Sequence, residues 1–341
     1  MNGVVFTGDR KLEIRQFDDP KPGRGQVVVK MRASGLCGSD LRPYRSSPEE
    51  LANRANIICG HEPCGEVVET GHGVSDVSVG DHVMVHHYSG CGTCVHCDTG
   101  WTQLCSDGST VYGSGAHGGN ADYELVESYM CVPMPDELSF EEGAAISCGT
   151  GTAYQALKRL EISGLDTLAV FGQGPVGLSA TFYGAVMGAR VIAVDPVPER
   201  RELAVKLGAE ETIDPTAVDS IEVVRELTGG AGADASLDAT GIDEVRQNTV
   251  RSTRIWGRAC FVGEGGTVSL MPTPDVIHRQ LTLHCSWTFS THTLKELANF
   301  TVDRGLPLSD LITQRFDLAD AKEAFALFDT ATTGKPVFAW D

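Results

Sequence analysis

Hydrophobic and polar positions change rhythm along the chain. In residues 3–6, 12–15, 26–32, 65–71, 79–85 and 123–126, short β-type runs are separated by turns such as Lys21-Pro22-Gly23-Arg24-Gly25. Short strands with frequent turns predict an antiparallel β domain. A helix opens at Phe140 and runs toward Cys148. From residue 168 strands and helices take turns: strands at 168–171, 191–194, 211–213, 235–237, 258–262 and 280–285, helices at 178–187, 199–207 and 243–252. That alternation predicts an α/β domain with a doubly wound parallel sheet. Residues 294–302 and 319–328 fit amphipathic helices, and 334–338 a terminal strand. The β domain is therefore expected from both ends of the chain, residues 1–150 and 287–341, with the α/β domain, 151–286, inserted between them.

The turn that opens the alternating region is Gly172-Gln173-Gly174-Pro175-Val176-Gly177. It follows a strand, precedes a helix, and the next strand ends in Asp195. A Gly-x-Gly-x-x-Gly turn lets backbone approach a pyrophosphate, and the helix N-terminus offers free N–H groups and a positive dipole end. The third glycine allows close helix–strand packing, and the acid some 20 residues on accepts hydrogen bonds from an adenosine ribose. Dinucleotide binding is expected here. Asp195 would repel a 2′-phosphate, which favours NAD over NADP; Arg200 and Arg201 temper this, since a nearby arginine can accommodate that phosphate. Arg200 can equally stack on adenine. Asp238-Ala239-Thr240-Gly241 falls at another strand end, where such sheets bind ligands.

The chain has 341 residues and a net charge of −19, from 46 acids and 27 bases. That length allows two domains with large cores. The acidity disfavours nucleic acid and anionic membrane surfaces as partners. No apolar run approaches membrane-spanning length, and the first residues, Met1-Asn2-Gly3-Val4-Val5-Phe6, lack the pattern of a signal peptide. A cytoplasmic location is expected. The eleven cysteines are an odd number and cluster, which points to metal rather than disulfides.

Cys91, Cys94, Cys97 and Cys105 are separated by two, two and seven residues. Four thiolates so spaced can close a tetrahedral zinc site within one loop, with no position left for water. Such a site is structural. His96 lies inside this ladder and reads as solvent-facing; His117, in the glycine-rich loop 113–123, reads as a solvated loop histidine. Cys37 and His61 are ligand types that zinc prefers, although each alone reads equally as a packed thiol or a satisfied core histidine.

Taken in order, Cys37-Gly38-Ser39-Asp40, Gly60-His61-Glu62, Gly80-Asp81-His82-Val83 and the dinucleotide turn resemble the zinc-dependent medium-chain alcohol dehydrogenases, over essentially the whole chain. The resemblance implies a Rossmann domain inserted into a mainly antiparallel, GroES-like catalytic domain, with the active site in the cleft between them. It implies a catalytic zinc held by Cys37, His61 and Cys148, where many polyol-type relatives carry glutamate in place of the last. The open fourth position serves a Lewis acid that polarises an alcohol oxygen while hydride passes to nicotinamide. Ser39 matches the hydroxyl that hydrogen-bonds the reacting oxygen. Asp40 matches the carboxylate that orients the liganding histidine, and Glu62 a residue that approaches the metal during ligand exchange. Thr152 matches a position beside the nicotinamide. The cysteine ladder matches a lobe near the subunit interface, and the family implies a homodimer or homotetramer.

One departure stands out. Relatives place a relay histidine five residues after the first ligand; here that residue is Arg42. Arginine is effectively never deprotonated, so the proton takes another path, or Arg42, with Tyr44 and Arg45, holds a polar substrate group, or Arg42 is simply solvated. Trp287 is a candidate to cover cofactor or substrate, or to pack between domains. Lys335 can be imagined reaching a phosphate, but reads better as a solvated lysine. The expected activity is NAD-dependent oxidation of a secondary alcohol or polyol, the polyol preference resting on resemblance alone. The rivals are a zinc-free quinone or enoyl reductase on the same fold, and a non-catalytic NAD-binding protein.

Overall fold

The computed structural model describes residues 1–340, which divide into two compact units. The first comprises Met1–Gly151, Phe289–Thr330 and the segment from Lys335 onward; the second comprises Thr152–Thr288 and Ala331–Gly334.

In the first unit β1 (Asn2–Gly8) and β2 (Lys11–Gln16) form an antiparallel hairpin. The main sheet is built from β3 (Gln26–Gly35), β4 (Pro63–Thr70) and β5 (His82–Val85); a short pair, β6 (Tyr88–Ser89) and β7 (Thr110–Val111), stands apart. β8 (Tyr123–Glu127) and β9 (Cys131–Pro133) follow, and β16 (Ile312–Phe316) and β17 (Lys335–Ala339) come from the far end of the chain. The order is β16-β17-β3-β4-β5-β9, with β8 on β3. Every pairing is antiparallel except β16 with β17. Alternate residues Val27, Val29 and Met31 of β3 are fully buried and pack with Val67, Val83 and Val126. The two-residue period of a strand is plain from Val29 to Ala33, while Val28 is buried on the opposite face as well.

The second unit carries β10 (Thr167–Phe171), β11 (Arg190–Val194), β12 (Ala209–Ile213), β13 (Ala233–Asp238), β14 (Thr253–Phe261) and β15 (Thr282–Cys285). They form one parallel sheet in the order β12-β11-β10-β13-β14-β15. Leu168 to Phe171 and Val191 to Val194 are all buried, as expected of parallel strands covered on both faces.

The helices are α1 (Leu41–Arg45), α2 (Val95–Asp98), α3 (Phe140–Ala145), α4 (Gly151–Arg159), α5 (Pro175–Val186), α6 (Pro198–Lys206), α7 (Ser220–Leu227), α8 (Asp243–Ser252), α9 (Thr291–Asp303) and α10 (Ala321–Asp329). The expected strand at 79–85 is shorter than its pattern. Gly80 has φ +94° and Asp81 accepts the Ser78 N–H at 2.8 Å, so its first residues form a turn. Likewise Gln280 adopts φ +51°, and the last parallel strand begins only at Thr282. α1, α7 and β16 were not anticipated. No helix among the described residues is long and apolar enough to cross a membrane.

Glu124 sits on the inward face of β8 beside Val126, 1 % exposed, and neither carboxylate oxygen has a partner. Burial holds its carboxyl well above the ordinary 4.5. The folded state keeps this proton when the unfolded chain releases it. Its stabilising effect is therefore complete below pH 4.5 and is lost as pH rises through the folded value. In Glu124→Gln that loss disappears. Urea unfolding from pH 4 to 8 should show the variant gaining on the parent by up to ~1.4 kcal/mol per pH unit over that window. Parallel pH profiles would contradict the assignment.

Candidate functional site

β3 ends at Gly35, and two residues on the chain turns into a single 3-10 turn, Gly38–Asp40, capped by Cys37. The Cys37 N–H donates to Asp40 Oδ2 at 2.9 Å, while Asp40 Oδ1 lies 2.9 Å from His61 Nδ1. One buried carboxylate thus fixes the thiol's turn and the imidazole's orientation, and leaves His61 Nε2 facing the other way, 3.0 Å from Ser39 Oγ. His61 follows Gly60, whose φ is +94° and whose missing side chain makes room for Asn120; a Cβ there would lie 2.4 Å from it.

Cys148 arrives by a different route. Ser139 and Glu142 form a capping box that starts α3, and the helix then widens into a π-turn, Ile146–Thr150. π-Turns within helices commonly mark functional sites. This one brings Cys148 to Cys37. One ligand atom each from Cys37, His61, Glu62 and Cys148 lies within 4.8 Å of all the others. Cys37, Glu62 and Cys148 are buried and His61 is half-buried. The hydrogen bond from Cys148 is the strongest influence lowering the Cys37 thiol, against burial and with help from His61; Cys148 is raised in return. Burial would lower His61, but Asp40 and Cys37 outweigh it and raise it well above its ordinary value. Two thiols, an imidazole and a carboxylate in one buried cluster are a donor set that fits zinc.

Lys335 corrects the expectation of a solvated lysine. It is 2 % exposed, and its Nζ lies 2.6 Å from Glu62 Oε1, also reaches Oε2, and donates to the Leu36 carbonyl at 3.1 Å. Burial pushes Glu62 up to about 7, with Lys335 pulling the other way. Gly35 and Gly149 make this pair possible. A Cβ on Gly35 would lie 2.0 Å from Glu62 Oε2, and the Gly149 N–H donates to Glu62 Oε1 at 3.3 Å.

Two further histidines escaped the sequence reading, although a His-His pair directly after an apolar strand was there to be noticed. His86, fully buried, lies 3.0 Å from the Phe289 carbonyl through Nε2 and 3.3 Å from Thr102 Oγ1 through Nδ1. His87, 2 % exposed, packs its ring 5.1 Å from that of His61 and stacks on His86 at 5.8 Å. Its Nδ1 has no partner. Burial first, then His61 and His86, hold it well below the ordinary histidine value, so the ring is neutral.

Other candidates lie elsewhere. Tyr44 is buried in the core with Phe6 and Phe325, and Arg45 pairs with Asp329 at 2.5 Å, so neither is free to hold substrate; Arg42 is exposed. His117 is an exposed loop residue, as expected, but it is tethered. It accepts the Ile58 N–H at 3.1 Å and packs on Phe17. His96 is exposed, and Trp287 is 43 % exposed.

The four cysteines of the ladder also converge, with one Sγ each within 4.8 Å of the others. Backbone amides point at the sulfurs: Cys91 N–H to Cys105 Sγ at 3.2 Å and Cys94 N–H to Cys91 Sγ at 3.3 Å. Hydrogen bonds to the backbone, that of Cys97 first, lower Cys94 to about 5. Cys91 is lowered too, while burial raises Cys97 to about 12; four converging sulfurs with amides aimed at them fit a closed metal site.

In the second unit the glycine turn follows β10 directly. Gly172 has φ +86°, and a Cβ on Gly177 would lie 1.7 Å from the Gly172 carbonyl oxygen. Gly174 differs: a Cβ there would meet only Arg200 Nη2, at 4.0 Å. The protein itself does not demand that glycine, and its bareness leaves open space beside the N-terminus of α5, where Pro175 and Val176 are the first residues. Asp195, 3 % exposed, accepts the Gln173 N–H at 2.6 Å and the Val197 N–H at 2.8 Å. Both bonds fix the carboxylate beside the turn. Arg200 is half-buried with its Nε unpartnered, and Thr152 is buried in α4. Asp238 accepts Thr240 N–H and Oγ–H at 2.8 and 2.7 Å, shaping its own turn.

A family model of alcohol dehydrogenase GroES-like domains matches residues 23–136, and one of zinc-binding dehydrogenases matches residues 175–303. An Escherichia coli (strain K12) protein described as an uncharacterized zinc-type alcohol dehydrogenase-like protein, YphC, is 38 % identical over 99 % of this chain and 98 % of its own. The solved alcohol dehydrogenase TADH from Thermus sp. ATN1 superposes with a TM-score of 0.90 at 26 % identity, covering 99 % of both chains. The 2R,3R-butanediol dehydrogenase from Bacillus subtilis gives 0.87 at 28 % identity, over 100 % of this chain and 99 % of that one. With such likeness running from end to end, and with these two family models matching successive parts of it, this chain belongs to the zinc-dependent medium-chain alcohol dehydrogenases.

Proposed function

We propose that the enzyme interconverts a secondary alcohol or polyol and its ketone, with NAD as the hydride carrier. The observation that carries this reading is the buried cluster of Cys37, His61, Glu62 and Cys148. Cys37, His61 and Cys148 would hold a catalytic zinc, and Cys91, Cys94, Cys97 and Cys105 a structural one. A zinc so held supplies a Lewis acid for the alcohol oxygen. Asp40 keeps the His61 tautomer fixed. Ser39 Oγ, beside His61 Nε2, takes the departing proton and passes it outward, because Arg42 cannot act as a relay. Gly172, Gly174, Pro175, Val176 and Gly177 receive the pyrophosphate, Asp195 the adenosine ribose, Arg200 the adenine side, and Thr152 the nicotinamide side. The cysteines, none of them paired in a disulfide, support a reducing, cytoplasmic setting. Leu283 and Cys285, exposed on the edge strand β15, support pairing of copies in a homodimer or homotetramer.

The test is NADH formation by zinc-replete protein with primary, secondary and sugar alcohols, NADP run in parallel. Turnover of a secondary alcohol or polyol with NAD is expected. Reduction of quinones by NADPH with no alcohol oxidation would replace this reading with a reductase, and NAD binding without turnover of any alcohol or ketone with a binding protein. Asp195→Gly removes the charge that opposes a 2′-phosphate. The NADP-to-NAD ratio of kcat/KM should rise about 10- to 100-fold, as expected for one nearby like charge. An unchanged ratio would count against Asp195 as the selector.

A further inference from the structure

We infer that the cavity between the β1–β2 hairpin, α1 and α10 is a binding site for a small dianion, a phosphate ester or a dicarboxylate. None of its residues belongs to the metal cluster or to the glycine turn.

The cavity has a volume of about 420 Å³, within the usual range of small-molecule pockets. Its polar lining is Thr7, Arg10, Lys11, Glu13, Tyr44 and Lys322. Charge here runs against the rest of the chain, whose net charge is −19. Glu13, the one acid of the lining, is engaged by Arg15, whose Nε donates to it at 2.8 Å. Asp329, at the end of α10, is shared by Arg10 at 2.8 Å and Arg45 at 2.5 Å. One carboxylate between two guanidinium groups leaves a positive charge over. Among the described residues, Lys11 and Lys322 have no ion pair. Lys322 is also the second residue of α10, where a cation meets the positive end of the helix dipole. Cations gathered around one space repel each other until a counter-ion sits between them.

Tyr44 adds a donor from within the fold. It is 4 % exposed, and its ring is held by Phe6 and Phe325 at centroid distances of 5.8 and 5.4 Å. Its hydroxyl makes no hydrogen bond among the described residues, whereas buried hydroxyls normally have one. Burial first, then Asp329, raise its pKa, so it remains an O–H donor to an anion's oxygen. Arg10 is placed by the turn of the hairpin. Asp9 and Arg10 have φ +53° and +60°, left-handed values that a side chain as large as arginine rarely adopts. The turn is tied to α1: the Asp9 N–H donates to the Ser46 carbonyl at 2.8 Å, and the Arg10 N–H to the Tyr44 carbonyl at 2.9 Å. A guanidinium, two ammonium groups and a phenol are all donors, and three of them are charged. Together they complement a doubly charged oxyanion.

The experiment titrates zinc-loaded protein, with NAD present in excess, against methyl phosphate and separately against succinate. Calorimetry at about pH 8, where both probes are dianions, and at constant ionic strength set by chloride, reads the binding. One equivalent should bind per chain with Kd of about 1 mM or tighter. In the double variant Lys11→Gln with Lys322→Gln, Kd should rise at least about tenfold, as two lost charges allow. Both lysines are exposed, so this variant keeps the fold. Tyr44→Phe, which keeps the ring, should weaken binding about three- to tenfold. Binding of methyl phosphate alone would make this a phosphate-ester site, binding of succinate alone a dicarboxylate site, and either result supports the assignment. No saturable binding of either probe to the parent, or an unaltered Kd in the lysine variant, would overturn it.

Discussion

Cys37→Ser should lower kcat/KM for every alcohol oxidised by at least about 10³-fold, while NAD affinity stays within about twofold. The loss follows from the cluster's construction. A cysteine binds zinc as the thiolate, so Cys37 would supply one of the negative charges that hold the metal. A serine hydroxyl is a poorer ligand at neutral pH and gives no such charge. A 10³-fold loss corresponds to about 4 kcal/mol of transition-state stabilisation, within what a Lewis-acid metal contributes. The glycine turn and Asp195 belong to the second unit and should bind NAD undisturbed. Metal analysis should find zinc falling from two ions per chain to one, the remainder in the cysteine ladder. Full activity in this variant, or loss of both ions, would refute the ligand assignment.

Lys335→Met should have the largest effect on stability. It leaves Glu62, 0 % exposed, without its countercharge. Breaking a buried ion pair by removing one partner costs about 3–5 kcal/mol, because the survivor stays desolvated and uncompensated. Lys335 Nζ also holds the Leu36 carbonyl, next to Cys37, so the metal cluster should loosen with it. The decisive comparison is the double variant Lys335→Met with Glu62→Gln. Removing the charge from both sides should restore at least half of the lost stability, since replacing a whole buried pair is far milder than halving it. Thermal unfolding of zinc-loaded protein, followed by its first transition, reads the difference. Equal instability of single and double variants would show that Lys335 acts by packing alone.

The contrast between Lys335 and Asp195 shows which features sequence patterns can reach. Asp195 was legible because everything that gives it meaning lies in one continuous stretch, residues 168–195: strand, glycine turn, helix, second strand. The cysteine ladder is equally local, with Cys91 and Cys105 only 14 residues apart. The parallel sheet announced itself because strands covered on both faces are apolar throughout. Lys335 acquires its role from Glu62, 273 residues away, which no local periodicity encodes. His87 was hidden for the same reason: its neighbour His61 comes from another strand connection. α7 is a different case. Asp219, whose side chain accepts the Ile221 N–H at 2.8 Å, is an N-cap that precedes an amphipathic octet, and the signal was available to read. The shortening of the strand at 79–85 came from side-chain capture of backbone by Asp81, which competes with the ladder.

The place of β17 between β16 and β3 has a consequence for biosynthesis. A ribosome delivers β3 and Glu62 long before Lys335 emerges. At ordinary elongation rates the interval is on the order of tens of seconds. During it the nascent chain presents a carboxylate whose partner does not yet exist, beside thiols with no finished pocket. The cysteine ladder is whole as soon as its own short loop leaves the exit tunnel, whereas Glu62 gains its countercharge only after β17 has joined the sheet. The two clusters are thereby completed in order, the local one early and the one that depends on a distant strand late.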